Sequence, residues 1–177
     1  MFFEKYFLKI LNFLENYRRS KLLELKLSKI KAGKNVKIGY DTHIDGNILI
    51  GDNTYINNYG RIVTGKNSEI KIGENCAIGR FFSCASRTHD LQCPTSTVDY
   101  PKHLIKEKSI SIGNNVWIGD KVTIKEGVEI GDFAIVGANS VVVRNVNKFE
   151  IVGGVPSKHI RYNKSHYKYY EVMTSHK

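Results

Sequence analysis

The chain has few cysteines and no long uninterrupted apolar segment. Cys76, Cys84 and Cys93 are the three cysteines among 177 residues, too few for a disulfide scaffold and an odd number that leaves one unpaired. No two of them have the spacing of a zinc-ligand pair, and charged residues interrupt the apolar N-terminus, which argues against a secretory signal and a membrane-spanning helix. We therefore expect a cytoplasmic protein, with the inner face of the membrane as the alternative location.

Acidic residues are scarce relative to basic ones. Lys and Arg total 27 against 17 Asp and Glu, which gives a net charge of +10. This excess predicts an anionic partner: a phosphorylated cofactor, an acidic glycan, a nucleic acid or a membrane surface. The 41% hydrophobic and 25% charged residues are typical of a folded globular chain rather than a disordered one.

Residues 1–34 are predicted to form an amphipathic helical segment. Apolar residues recur at helical spacing, at Phe3, Phe7, Ile10, Leu11, Leu14 and Tyr17. Residues 18–37 then carry eight basic residues and one acidic residue, Glu24. The simpler interpretation is a helix that packs on the main domain and exposes its basic face. The alternative is peripheral contact of this basic helix with an anionic membrane.

From residue 35 the apolar pattern has a period of six. Aliphatic anchors stand at Ile38, Ile44, Ile50, Ile56, Ile62, Ile72, Ile78, Ile112, Ile118, Ile124, Ile130, Val136 and Val142. Glycine often follows the anchor, and the fourth residue after it is often small or branched. A period of six predicts short strands alternating with corners, where glycine allows either a positive φ or a close backbone approach. Three such units form one turn of a triangular prism, an all-β solenoid with anchors along its axis and covers at its two ends.

The repeat is interrupted twice. The step from Ile62 to Ile72 is ten residues, which predicts an extended corner, and the pattern disappears between Cys84 and Ile110. Long excursions from a regular fold are usually functional, so we expect the chemistry in the loop 85–109. The solenoid domain is accordingly assigned to 35–156 and a basic C-terminal tail to 157–177.

Residues 112–161, which begin IGNNVWIGD and end GGVPSKHIR, resemble the hexapeptide-repeat acyltransferases. The similarity extends over about residues 35–162 and is greatest to the galactoside, maltose and polysaccharide O-acetyltransferases, in which NVWIG follows a histidine-bearing loop. The resemblance implies a left-handed parallel β-helix, a homotrimer, and acetyl-coenzyme A bound between subunits as the acyl donor. It also implies a saccharide acceptor.

Six histidines are candidates for a general base, because imidazole titrates near neutral pH. On the residues alone, His89 and His103 in the loop 85–109 stay open, and a loop histidine is more often a surface residue. The resemblance selects His89, since Thr88-His89-Asp90 stands where the family carries its catalytic histidine. His103 is the fallback. Cys93 is a weaker rival as a nucleophile, and Asp90 is not assigned a catalytic role.

The resemblance also supplies the candidate binding residues. Trp117, predicted to face outward, would line the coenzyme cleft, with Asp120 and Ala138 beside the pantetheine arm through their main chains. Basic residues would meet the coenzyme phosphates: Arg144, where relatives commonly carry lysine, and Lys158 and Arg161 of GVPSKHIR. Asn57 matches an asparagine that contacts the acceptor sugar in relatives.

The sequence therefore predicts an acetyl-coenzyme A-dependent O-acetyltransferase that modifies a sugar hydroxyl, on a bacterial surface polysaccharide or its precursor, by direct transfer with His89 as base. The alternatives are N-acetylation of an amino sugar and acetylation of an antibiotic. The histidines do not form a three-ligand metal set within the prism, so no metal is expected. No nucleic-acid motif is present, and a structural prism would lack the long loop.

Overall fold

The hexad repeat folds into a parallel β-solenoid of about five turns, as predicted. The computed structural model describes the backbone of residues 2–89 and 105–163, and side chains from residue 5 onward. Each turn contributes one strand to each of three sheets, which form the three faces of the prism.

The strands are as follows. The first face contains β1 (Lys31–Ala32), β4 (Ile48–Ile50), β7 (Ile70–Ile72), β12 (Ile110–Ile112) and β15 (Glu129–Ile130). The second face contains β2 (Lys37–Ile38), β5 (Tyr55–Ile56), β8 (Ala77–Ile78), β13 (Trp117–Ile118), β16 (Ile135–Val136), β18 (Glu150–Gly153) and β19 (Lys158–Tyr162). The third face contains β3 (His43–Asp45), β6 (Arg61–Val63), β9 (Ser83–Ala85), β14 (Thr123–Ile124) and β17 (Val141–Val142). A separate hairpin pairs β10 (Arg87–His89) with β11 (Ile105–Glu107).

A column of aliphatic side chains fills the axis of the solenoid. The predicted anchors are at most 6% exposed, except Ile44, which is half-buried against the same core. Pairing aligns anchors from one turn to the next, as with Ile50, Ile72 and Ile112 on the first face. Each fully buried anchor contributes about 1.5–3 kcal/mol from apolar burial, so the stack is stabilised turn by turn.

The hexad glycines serve close approach between turns rather than a positive φ. A Cβ at Gly39 would lie 2.5 Å from the backbone nitrogen of Asn58, and one at Gly79 would lie 2.6 Å from that of Asp120. Non-glycine residues adopt the left-handed φ at the corners, and half of them are asparagines, a residue type that tolerates this region. These are Asn35, Asn53, Asn75, Asn115 and Asn139.

The N-terminal helix α1 (Phe2–Leu27) contacts the solenoid through its last third. Leu23 and Leu27 pack against the core, and Lys26 Nζ donates a hydrogen bond of 2.9 Å to the carbonyl oxygen of Gly39. Residues 5–21 are exposed throughout. The expectation of a helix packed along the domain is therefore wrong for most of its length. Within the described residues, no helix is both long and apolar enough to cross a membrane.

Strand pairing continues past residue 156, the predicted end of the solenoid domain. Strand β19 pairs antiparallel with β18, so residues 158–162 continue the second face instead of beginning a tail. The reason is that β18 would otherwise leave the last turn with an unpaired strand edge. The rest of the predicted tail, from residue 164 onward, lies outside the described residues.

Candidate active site

The excursion between the third and fourth turns begins and ends as a two-stranded hairpin. In this hairpin Thr88 pairs with Lys106, and His89 pairs with Ile105. His89 is therefore held by regular backbone pairing, and its side chain is exposed. Residues 90–104, which include Asp90, Cys93 and His103, lie outside the described residues.

The two interruptions of the repeat meet at the base of this hairpin. The carboxylate of Glu107 accepts hydrogen bonds from the backbone N–H groups of Asn67, at 2.7 Å, and Lys66, at 3.2 Å. Beneath it, the buried hydroxyls of Ser68 and Ser86 lie 2.7 Å apart. The extended corner at residues 64–69 thus provides the donors that fix the hairpin and, with it, His89.

A cavity of about 430 Å³ opens beside His89. Arg61 and Arg87 are exposed on its wall, and neither forms an ion pair with another described residue. An imidazole thus lies beside two guanidinium groups, which are suited to hydrogen-bond a carboxylate or phosphate. The lining consists of Arg61, Ala85, Arg87, Thr88, His89 and Ile105.

A separate groove of about 450 Å³ runs along the second face. Its floor is an outward row in which Tyr55, Ala77, Trp117 and Ile135 are paired on adjacent strands. Trp117 is 58% exposed, as predicted, and Tyr55 is 45% exposed. Because adjacent strands lie about 4.8 Å apart, the backbones that carry Tyr55 and Trp117 are about 10 Å apart, with the small Ala77 between them. Asn57 lines the same groove.

Asp120 and Ala138 also line this groove, so two further predicted coenzyme residues lie together with Trp117. The carboxylate of Asp120 is already engaged, because its Oδ1 accepts a hydrogen bond of 2.7 Å from the Arg80 N–H in the preceding turn. Asp52 and Asp132 make equivalent bonds of 2.8 Å at other corners. Asp120 is therefore a repeated structural aspartate, and a ligand contact through its main chain is compatible with this geometry.

Arg144 is held at the C-terminal end of the solenoid by a buried carboxylate. Its Nη2 lies 3.6 Å from Oε1 of Glu150, a residue 2% exposed, and the same oxygen lies 3.0 Å from Nδ1 of His159. Burial raises the pKa of Glu150. The Asn147 N–H, His159 and Arg144 together lower this pKa by a larger amount, so the net pKa lies below the ordinary 4.5. The carboxylate is charged at neutral pH and fixes the arginine.

Lys158 and Arg161 lie nearby on β19 and are exposed. Arg161 pairs with Ile151 of β18, in a terminal strand pair that also contains Glu150. The three predicted basic residues therefore belong to one end of the solenoid, where the second face also ends.

The predicted site residues thus fall into separate groups. Within the described part of the chain, the His89 cavity and the Trp117 groove have no lining residue in common. Sequence reasoning missed Arg61, Tyr55 and Glu107. Arg61 and Tyr55 precede anchors by one residue, the outward position also held by Trp117, and this spacing was a signal that could have identified them. Glu107 gave no such signal, because its partners are 40 residues away in sequence.

Comparison with known proteins agrees with this architecture. Residues 109–144 match the family described as "Bacterial transferase hexapeptide (six repeats)". A putative lipopolysaccharide biosynthesis O-acetyl transferase, WbbJ of Escherichia coli K12, is 29% identical over 75% of this chain and 71% of its own length. The chain belongs to the hexapeptide-repeat acyltransferases. The predicted family, fold and enzyme class are confirmed.

Two further proteins that resemble this acyltransferase are a named O-acetyltransferase and an acetyltransferase of known structure. The galactoside O-acetyltransferase of Escherichia coli K12 is 34% identical over 65% of this chain. The matched segment covers 54% of that protein, about half of its length. A hexapeptide-repeat acetyltransferase of Vibrio cholerae, VCA0836, superimposes with a TM-score of 0.68 at 28% identity, over 81% of this chain and 80% of that chain. VCA0836 has also been solved in complex with acetyl-coenzyme A, with a TM-score of 0.60 over 78% of this chain and 74% of that chain.

Proposed function

We propose that this acyltransferase transfers an acetyl group from acetyl-coenzyme A to a hydroxyl of a saccharide acceptor, with His89 as the general base. The observation that carries the proposal is the position of His89 on a fixed hairpin, at the wall of a cavity with two guanidinium groups. Relatives named as O-acetyltransferases support the choice of a hydroxyl acceptor.

We infer that the donor binds in the Trp117 groove. An extended pantetheine chain would lie over Ala77 between Tyr55 and Trp117, with main-chain groups of the Asp120 and Ala138 corners as partners for its amides. The anionic end of the coenzyme would then reach the basic group at the C-terminal end of the solenoid: Arg144, Lys158 and Arg161. The named acetyl-coenzyme A complex of VCA0836 supports this donor.

The reaction requires one proton acceptor. The neutral imidazole of His89 takes the proton of the acceptor hydroxyl as the hydroxyl oxygen attacks the thioester carbonyl carbon. The tetrahedral intermediate collapses with cleavage of the carbon–sulfur bond, and the thiolate of coenzyme A receives the proton from the imidazolium. The products are an acetyl ester and free coenzyme A.

The acceptor is proposed to be a saccharide with an anionic group, as in acidic surface glycans and phosphate-linked precursors. Arg61 and Arg87 flank His89 and have no carboxylate partner among the described residues, so they are available to bind such a group. Asn57 lies in the donor groove rather than in the His89 cavity. Its proposed contact with the acceptor therefore requires a groove from a neighbouring subunit.

A homotrimer would supply that arrangement. The groove lies on the second face, whereas the third face leads into the His89 hairpin, so among the described residues of one subunit the proposed donor groove and the proposed base line separate cavities. A threefold, head-to-tail interface would place the groove of one subunit against the His89 cavity of the next.

The test is acetyl transfer to a panel of neutral sugars, uronic acids, sugar phosphates and amino sugars, followed by free thiol release and mass spectrometry of the product. We expect an acetylated product that hydroxylamine cleaves, since esters are labile to it and amides are not. We also expect Arg61→Gln and Arg87→Gln to raise the KM for anionic acceptors and to leave that for neutral ones unchanged. Hydroxylamine-stable products formed on amino sugars alone, or on an antibiotic, would contradict the proposal.

A further inference from the structure

The N-terminal helix carries an extensive apolar surface that the solenoid does not cover. Nine apolar side chains along it are between 44% and 69% exposed. They are Tyr6, Phe7, Leu8, Ile10, Leu11, Phe13, Leu14, Tyr17 and Leu25. Exposed apolar area of this extent in a single element marks a surface that contacts another partner.

Most of these side chains lie on one side of the helix. At about 100° of rotation per residue, all of them except Leu8 fall within a sector of about 160°, and seven of these eight lie between residues 6 and 17. This apolar sector consists of Tyr6, Phe7, Ile10, Leu11, Phe13, Leu14 and Tyr17. Lys5, Lys9, Asn12, Glu15 and Asn16 occupy the opposite side.

The apolar sector is directed away from the solenoid. Leu23 and Leu27, which pack on the core, point about 140° from the centre of the sector by the same helical rotation. The helix thus has two apolar faces in succession along its length. The later face attaches it to the first turn, and the earlier face cannot fold back onto the same subunit without breaking the helix.

Positive charge adjoins the apolar sector. Residues 1–37 contain ten basic and three acidic residues, which supply seven of the ten net positive charges of the chain. By helical rotation Lys21, which forms an ion pair of 2.8 Å with Glu24, lies in line with the centre of the sector, and Arg18 lies about 60° from that centre, within the range of the sector. Lys29, Lys34 and Lys37, next to the helix attachment, are exposed.

We propose that the apolar sector docks this protein on an anionic membrane surface, with α1 lying in the plane of the headgroups. Four of the seven sector residues are Phe or Tyr, which favour the membrane interface, and the adjoining lysines and arginines match anionic lipid headgroups. This inference is independent of the reaction proposed for His89.

The charge pattern favours a membrane over a second copy of the helix. A helix bundle uses a narrower seam than a sector of about 160°. In such a bundle Lys21 and Arg18 would also be brought towards their counterparts in the other copies, which is unfavourable for like charges. On an anionic membrane the side chains of Lys21 and Arg18 would extend from the buried sector into the headgroup layer.

Docking also sets the position of the active site. The first turn of the solenoid, to which α1 is attached, would lie nearest the membrane. The His89 hairpin follows β9 in the third turn, about 10 Å further along the axis at about 4.8 Å per strand. The His89 cavity would therefore be within reach of an acceptor anchored in the membrane by a lipid.

The test is cosedimentation of the full-length protein with vesicles of phosphatidylcholine alone and of phosphatidylcholine with phosphatidylglycerol. Two matched double variants add the same charge to opposite sides of the helix. Ile10→Glu with Leu14→Glu changes the apolar sector, and Asn12→Glu with Asn16→Glu changes the polar side. All four positions are exposed, so both variants should fold, which circular dichroism checks.

We expect binding to the anionic vesicles that weakens with salt, a loss of about tenfold or more for the apolar-sector variant, and a loss of less than about threefold for the polar-side variant. Arg18→Glu with Lys21→Glu should reduce binding to anionic vesicles and leave the weak binding to neutral vesicles unchanged. Equal losses in the two matched variants would overturn the proposal. Absence of vesicle binding, together with an oligomer that dissociates only in the apolar-sector variant, would also overturn it and assign the sector to a second copy.

Discussion

Replacing Glu107 should lower the catalytic rate without touching either substrate. Its carboxylate accepts two backbone hydrogen bonds, from Asn67 and Lys66, and lies 3.4 Å from the Ser68 hydroxyl. Hydrogen bonds to a charged group contribute about 1.5–3 kcal/mol each, and the outer part of this site is open to water, so we take the low end for each of the two. Glu107→Ala should therefore weaken docking of the hairpin by about 3 kcal/mol, a factor of about 150 in the docked population.

The expected kinetic result is a fall in kcat of about tenfold or more, with the KM for acetyl-coenzyme A changed by less than about twofold. The reason is that His89 is two residues from the end of β10 nearest this anchor, whereas the Trp117 groove lies on another face. Steady-state kinetics measures both parameters, and amide hydrogen exchange at residues 87–89 and 105–107 reports docking directly. Glu129→Ala, at an exposed strand position, is the matched control.

A positioning role for Glu107 has a signature that a merely structural role lacks. Glu107→Gln keeps an acceptor oxygen and should recover part of kcat. If amide exchange in the hairpin accelerates in Glu107→Ala while kcat stays at the wild-type value, the docked hairpin is not what positions the base, and the reasoning fails.

Three further predictions concern the groove, the C-terminal end and the stacking of turns. Trp117→Ala should raise the KM for acetyl-coenzyme A. If each site is shared between subunits, trimers assembled at random from equal amounts of Trp117→Ala and His89→Asn chains should regain about a quarter of the wild-type activity, as measured by thiol release. No recovery of activity would place each site within one subunit. The folded-state pKa of Glu150 is depressed, so its contribution to stability is present above its unfolded pKa and lost as pH falls through the folded value. Thermal melts should show that the wild type loses stability below about pH 4.5. Glu150→Gln should have a lower Tm at neutral pH and a Tm that depends less on pH. Gly79→Ala should lower the free energy of unfolding by about 1–3 kcal/mol in a denaturant titration, because its Cβ would lie 2.6 Å from backbone, whereas Gly137→Ala, whose Cβ would meet nothing closer than 3.4 Å, should cost much less.

The solenoid was predictable because each turn repeats the same local solution. Anchors such as Ile118 and the buried positions four residues later each report on a contact with the neighbouring turn, so the period alone identifies the core. The small-or-branched pattern at that fourth position fails at Phe82, which is wholly buried there. The sequence left open whether the hexad glycines serve a positive φ or a close backbone approach, because a close approach such as that of Gly79 depends on the neighbouring turn.

The parts that could not be predicted depend on contacts between distant segments. The hydrogen bonds to Glu107 join the two interruptions of the repeat, and neither interruption alone predicts a contact with the other. The direction of α1 depends on which of its two apolar faces meets the solenoid, and the spacing up to Tyr17 does not include that information. His89 was predicted from the loop and the resemblance, whereas Arg61, which lines the same cavity, precedes the loop by more than 20 residues.

The most direct test of the proposed mechanism compares His89→Asn with His43→Asn, a histidine that is exposed on β3 of the same solenoid. The measurement is kcat/KM for acetyl transfer to an accepted saccharide, with coenzyme A binding measured by calorimetry on the same preparations. We predict that His89→Asn loses activity by about 100-fold or more, the range for a missing general base, while it binds coenzyme A as wild type does and His43→Asn stays active. A His89→Asn protein that binds coenzyme A and retains more than about a tenth of the wild-type kcat/KM would contradict the assignment of His89 as the base.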